Sequence, residues 1–238
     1  GRKVIVTEGD VDFDILYPHI HDDVKLVRGA GGREHVLKAA ENIRGQGYID
    51  ALFLVDRDFD GVLKFSREFG ESVLPSRCHD FIMDLLEGYP KLLGTILDQM
   101  LARKRRSPES KIRADLTARM LVEDAIGYAF KMSAVRIHSL NNKLEWKFPR
   151  RILTTFDGAV GTIYQIVERV LQKNHCDSSS VRIDSIVEDV ENVWRSLNGE
   201  KVSLVGDHDF FDALAVVCRC EGICVSADDL SDQVAGAV

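Results

Sequence analysis

Three groups of chemically capable residues in this chain sit where apolar runs stop. Phe53-Leu54-Val55 runs straight into Asp56-Arg57-Asp58-Phe59-Asp60-Gly61, Val4-Ile5-Val6-Thr7 runs into Glu8-Gly9-Asp10-Val11-Asp12, and Ser72-Val73-Leu74 is followed shortly by His79-Asp80. Side chains alternate along an extended chain, so Asp56 and Asp58 point to one side, and Asp60 follows if the backbone stays extended. Oxygen ligands gathered on one face suit a hard divalent cation, magnesium or manganese. Acids that serve only solubility scatter over helix faces. Acids collected beyond strand ends repel one another unless a cation neutralises them. Taken alone, the Asp56 stretch also reads as a polar loop closed by an Asp-Gly turn.

The elements that must position these groups are legible from periodicity. Lys3–Thr7, Val24–Val27 and Ala51–Val55 read as short strands, with Ser72–Leu74 as a weaker fourth. Between them lie helical patterns. One runs through Phe13, Ile15, Leu16 and Tyr17 and is halted by Pro18; another covers Glu34–Gln46; a shorter one covers Val62–Phe69. Strands alternating with helices predict an α/β fold, a parallel sheet flanked by helices, with functional groups at the carboxyl ends of the strands. After Phe81 the texture changes to an α-helical C-terminal half. Helical spacing covers Leu85–Met100, Ile112–Ile137, Gly158–Lys173 and Val181–Leu197, with a charged loop at Arg103–Glu109 and a linker at Ser178–Ser180. Val202–Val205 reads as a late strand rejoining the sheet, ahead of Gly206-Asp207-His208-Asp209 and a helix over Phe210–Cys218. The expected organisation is a catalytic domain over residues 1–84, a helical domain or insertion over 85–200, and a strand-helix segment over 201–238 packing back on the first domain.

Composition bounds the function. With 238 residues, 45% of them apolar, the chain can bury a substantial core. No apolar run approaches the ~20 residues that span a bilayer, and the first residues form a strand pattern rather than a signal peptide, so a cytoplasmic protein without membrane partners is expected. Thirty-eight acids against 31 bases give a net charge of −7, which excludes coating of nucleic acid by global charge but not a local groove. Of five cysteines, Cys218, Cys220 and Cys224 cluster. Zinc would need a fourth ligand such as His208 or Cys176, and the spacing is not that of common structural sites. Buried free thiols on a helix and a strand are the expectation.

Further residues carry two readings each. Gly29-Ala30-Gly31-Gly32-Arg33 is either a tight strand-to-helix turn or a phosphate cradle at a helix N-terminus, with Arg33 reaching the anion. The basic runs Arg103–Arg106 and Lys143–Arg151 are either solvated loops or tracks for a nucleic-acid backbone. In the second, Trp146 and Phe148 interleave with Lys147 and Arg150 and could stack on bases. His208 is either a group supporting the site or part of a capping turn with Asp209.

Glu8-Gly9-Asp10-Val11-Asp12 and Asp56-Arg57-Asp58 resemble the two-part signature of the Toprim domain, a Glu-Gly-x-x-Asp turn after one strand and an Asp-x-Asp after another. Within that superfamily the chain is most similar to the OLD-like nuclease branch, the secondary marks being Gly31-Gly32-Arg33, Asp60, His79-Asp80 and the Gly206–Asp209 turn. The resemblance covers about residues 3–84. It implies a Toprim-like sheet and a magnesium- or manganese-dependent nuclease acting on RNA, such as the transfer RNA cleaved by the Toprim effectors of PARIS antiphage systems, or on DNA. Carried over, Glu8, Asp12, Asp56 and Asp58 are the catalytic acids. Glu8, Asp56, Asp58, Asp60 and Asp80 are the metal ligands, and Arg33, Arg57 and His79 meet substrate; Lys147 and Arg150, outside the resemblance, are expected to meet it through the basic run. Where OLD-like proteins carry another Glu after the fourth strand, this chain has Phe81-Ile82-Met83-Asp84, so Asp80 or Asp84 must substitute. The chain has no nucleotide-binding motif, so the ABC-type ATPase that such nucleases work with would be a separate partner. A homo-oligomer is also expected. The competing class is a non-catalytic Toprim module that assembles with an ATPase.

Overall fold

The computed structural model describes residues 3–44, 50–63, 69–108, 111–156, 159–176 and 183–237. The chain divides into two compact units, the first ending at Leu85 and the second running from Leu86 to Ala237. In the first, β1 (Lys3–Thr7), α1 (Asp10–Leu16), β2 (Val24–Arg28), α2 (Arg33–Arg44), β3 (Ala51–Val55) and β4 (Val73–Pro75) build a four-stranded, wholly parallel sheet in the order β2-β1-β3-β4. The predicted α/β class is thus present. The chain steps from β1 outward to β2 and then returns to β1's other side for β3, which places a topological switch point between β1 and β3. Crevices of this kind open beyond the carboxyl ends of the strands.

β3 is the central strand by burial as well as position. Phe53, Leu54 and Val55 are all buried, as a parallel strand covered on both faces requires. α2 presents Val36, Leu37 and Ala40 to Phe53 and Val55, with Ile43 adding to the same stripe at helical spacing. The turn that feeds α2 is tight. Gly29 donates its N–H to Thr7 O at 2.8 Å, and a Cβ there would fall 2.4 Å from that same oxygen and 2.6 Å from Val36 Cγ2. Only glycine lets β2 leave the sheet so close to β1.

The second unit is helical. α3 (Phe81–Gly88) carries the chain across the division, and α4 (Pro90–Arg105) follows at once. The single helix expected over Leu85–Met100 is two, because Pro90 sits well at a first helical position and poorly inside a helix. α4 also runs through Arg105, so most of the basic run read as a loop is its last turn, where cations favour the helix dipole. α5 (Ala118–Asn141) begins six residues later than expected, capped by Thr117, whose side chain accepts the Met120 N–H. α6 (Ile163–Lys173) starts with a Thr162–Gln165 capping box, and α7 (Ile183–Ser196), α8 (Lys201–Leu204), α9 (Asp207–Cys220) and α10 (Ala227–Ala235) complete the unit. α5 and α9 are buried along most of their length and pack on each other, with α4, α6, α7 and α8 also packed against α5.

Two expectations for the C-terminus are corrected. Val202–Val205 is not a strand, since Lys201–Leu204 forms a helical turn that lays Leu204 against α5; four apolar residues do not distinguish the two by periodicity. The segment expected as strand and helix is helical throughout its regular elements, and residues 201–237 fall in the second unit. α9 is apolar almost all round and belongs to the helical unit, where α5 covers it. Of the clustered cysteines only Cys218 is buried, its thiol pushed up to about 12 by burial; Cys220 and Cys224 are exposed. The centre of the Val62–Phe69 helix, the end of the Glu34–Gln46 helix, the starts at Gly158 and Val181 and the Ser178–Ser180 linker lie outside the described residues. No helix among the described residues is long and apolar enough to cross a membrane.

Candidate functional site

The β1 and β3 register pairs Val6 with Phe53, so β3 ends one residue beyond β1 and Glu8 and Asp56 leave neighbouring strands close together. Glu8 Oε2 accepts the Asp56 backbone N–H at 3.1 Å across 48 residues of sequence. Asp12, in the first turn of α1, accepts the Gly9 N–H at 3.3 Å. Asp80 is buried and accepts the Met83 N–H at 2.8 Å at the start of α3. These acids face Asp56. Burial first, then the charges of Asp12, Asp80, Glu8 and Asp58, push its carboxyl up to about 8, and its Oδ1 is buried without a hydrogen-bond partner among the described residues. Burial also raises Glu8 and Asp12, in each case offset in part by the backbone N–H it accepts.

Asp58 and Asp60 are held differently from the extended-chain expectation. β3 stops at Val55, and Asp58 adopts a left-handed backbone with φ 51°, which Asp tolerates better than most residues. Strand alternation therefore ends before it reaches these two acids. Both are drawn instead to Arg33. Its Nη1 donates to Asp58 Oδ2 at 2.6 Å and its Nη2 to Asp60 Oδ2. Burial alone would lower the Arg33 pKa, but the two carboxylates raise it on balance. Arg33 was expected to meet a phosphate; in the structure it neutralises the acidic loop, with its side chain 17% exposed.

Arg57 is likewise a strut rather than an outward-facing anion hook. Its Nε and Nη1 donate to the carbonyls of Asp60 and Arg77, each at 3.0 Å, which knit the loop after β3 to the loop after β4. Ser76, which sequence reasoning passed over, is the other stitch: its buried hydroxyl accepts the Arg57 N–H and donates to Cys78 O, both at 2.8 Å. A lone serine after a strand gives no signal of this. Asp84 accepts the N–H groups of Arg77 and Cys78, so it shapes the same loop. His79 does join the acids, packed edge-on against Phe59, with Nε2 3.9 Å from Asp58 Oδ1 and Nδ1 3.4 Å from Asp80 Oδ2.

The structure thus brings together Glu8, Asp12, Asp56, Asp58, Asp80 and His79, with Asp60 tied in through Arg33. Lys147 and Arg150 belong to the helical unit. The Lys147 backbone is bridged to the Asn174 side chain, whereas Arg150 is exposed. The Gly206–Asp209 turn is in that unit too, where Gly206 is the N-cap of α9 and Asp209 pairs with Arg136 rather than capping. Asp212 is a buried acid that sequence reasoning did not single out, although a carboxylate inside Phe210-Phe211-Asp212-Ala213-Leu214 was a usable signal.

The donor set fits a hard cation in its chemistry, because the unbonded Asp56 oxygen lies among carboxylates whose mutual repulsion a divalent ion relieves. Among the described residues, no three His, Cys, Asp or Glu side chains are grouped closely enough to hold a metal ion as they stand. Compared with known proteins, the chain matches no family model, no curated protein and no solved structure.

Proposed function

We propose that this chain is a Toprim-like, magnesium- or manganese-dependent nuclease, in which Glu8, Asp56 and Asp58 would hold the cation and Asp12, Asp60 and Asp80 surround them. The observation that carries this proposal is Asp56, a buried carboxylate with an unbonded oxygen amid like charges, beside the switch point of a parallel sheet. When bound, such a cation stabilises charge on the oxygens of a phosphodiester. The chain's own contribution is proton transfer and shape. Glu8 holds protons more tightly than an ordinary glutamate, which suits a group that takes a proton from water and returns it to a leaving oxygen, and the Asp56 N–H fixes its orientation. His79, which lies beside Asp58 and Asp80, would be the group that meets a phosphate oxygen. The resemblance carries the rest of the proposal: RNA, transfer RNA included, or DNA as substrate, a cytoplasmic antiphage role, a separate ABC-type ATPase as controller, and a homo-oligomer.

One observation favours the second reading, a non-catalytic assembly module. The Arg33 clamp already neutralises Asp58 and Asp60, as a purely structural loop would have it. Manganese titration followed by electron paramagnetic resonance separates the two, run beside cleavage assays on transfer RNA and duplex DNA. The nuclease reading expects saturable manganese binding that Glu8→Gln and Asp56→Asn abolish, and cleavage reduced about a thousandfold by either. Wild-type protein that binds no manganese, or variants that bind and cleave like it, would leave the assembly module as the better account.

A further inference from the structure

The helical unit contains a cleft of about 610 Å³, framed by the starts of α9 and α10, the Phe148–Arg151 segment and Arg136 of α5. This lies within the roughly 300–1,000 Å³ range of small-molecule sites. Two ion pairs in its wall are internally neutral. Arg136 holds Asp209 through two contacts of 3.1 Å while stacking 4.8 Å from the centre of the Phe148 ring, and Arg151 holds Asp228. The rest of the lining holds His208, Ser231 and Asp232 beside an asymmetric set. Arg150 is exposed and makes no ion pair among the described residues; Asp212 is 7% exposed and borders the same cleft; Phe148 and Phe211 supply aromatic wall.

A free cation, a buried acceptor and two aromatic rings complement a ligand that is flat, carries N–H donors on one edge and ends in an anion. We infer that this cleft binds a nucleotide, preferentially one with guanine, the base edge donating to Asp212 and the phosphate meeting Arg150. Guanine presents two adjacent donors, N1–H and the N2 amine, and a carboxylate accepts both at once, whereas the other bases interrupt their donors with acceptors. Asp212 is suited to this. Burial and Asp209 push it up only to about 6, so it is ionised at neutral pH, and it accepts a backbone N–H from Arg151 that fixes its direction. An amino acid would leave most of the cleft unfilled, and a simple cation would make no use of Arg150. The same chemistry is offered by a free nucleotide and by an unpaired nucleotide in a strand.

Calorimetric titration of the full chain in EDTA tests this independently of any cation at Asp56. The probes are GMP, IMP, guanosine and a short single strand containing one guanine. Saturable binding of GMP is expected, with IMP, which lacks the N2 amine, and guanosine, which lacks the phosphate, each weaker by about tenfold. Arg150→Ala, an exposed change that leaves packing intact, should erase the advantage of GMP over guanosine. Asp212→Asn should erase the advantage of GMP over IMP. Binding of the strand but not of GMP, lost in Arg150→Ala, assigns the site to a nucleotide within a polymer and supports the inference. Failure of both GMP and the strand to bind, or equal binding by wild type and Arg150→Ala, overturns it.

Discussion

Without divalent cations, Asp56→Asn protein should unfold at a higher temperature than wild type at pH 8 and at the same temperature near pH 4. The sign follows from which state binds the proton more tightly. The Asp56 carboxyl ordinarily titrates at 3.8 and is pushed up to about 8 by burial and four neighbouring acids. Below pH 4 it is neutral in both folded and unfolded chains and contributes no difference. As pH rises from 4 to 8 the unfolded chain sheds its proton freely while the folded chain cannot, so wild-type stability falls across that window and levels off above it. Asparagine has no proton to shed. The gap should open through the window to several kcal/mol at most, shared among coupled carboxylates. Magnesium should then reverse the order, since a ligand at a hundredfold its Kd stabilises the fold that binds it by about 2.7 kcal/mol and the variant has lost the site. Circular dichroism melts at pH 4 and 8, with EDTA and with magnesium, read both effects. A variant less stable than wild type at pH 8 in EDTA would mean that Asp56 is a satisfied structural acid.

The second large effect belongs to the turn before α2. Gly29→Ala should destabilise the sheet unit by about 3 kcal/mol or more, because the added methyl would sit 2.4 Å from Thr7 O, a backbone atom fixed within β1 and already engaged by the Gly29 N–H. The same shift pushes on Glu8, whose carbonyl is 3.3 Å from the new methyl, so cation binding should weaken with it. Gly32→Ala is the control. Gly32 has φ 75° but open space around its would-be Cβ, so its cost is confined to backbone strain, about 1 kcal/mol. Urea unfolding of the two variants side by side measures the contrast, and equal losses would show that the close approach is relieved by movement.

What could be read beforehand followed the physics that leaves marks in sequence. β1 and β3 are parallel strands bounded by polar turns, so they end where the sequence pattern puts their ends, just before Glu8 and Asp56. Asp58 and Asp60 were placed by extrapolating alternation past Val55, where the backbone turns left-handed and a guanidinium 25 residues upstream takes control. No local pattern announces such a partner. α8 and the C-terminal segment were missed for a related reason. Whether Leu204 and Val205 lie in a strand or a turn is decided by what they pack against, and α5 packs against α8. Ser76 and Asp212 act through hydrogen bonds and burial that exist only after folding.

The parallel pairing of β1 with β3 also has a kinetic meaning. Glu8 meets Asp56 only after a loop of 48 residues has closed and β3 has docked beside β1. Parallel pairings of this reach are the slow events of folding, whereas α5 or α9 forms from neighbours in sequence. Competence to capture a cation should therefore appear late in refolding, after most helical signal has returned, which would make manganese uptake a clock for closure of the sheet.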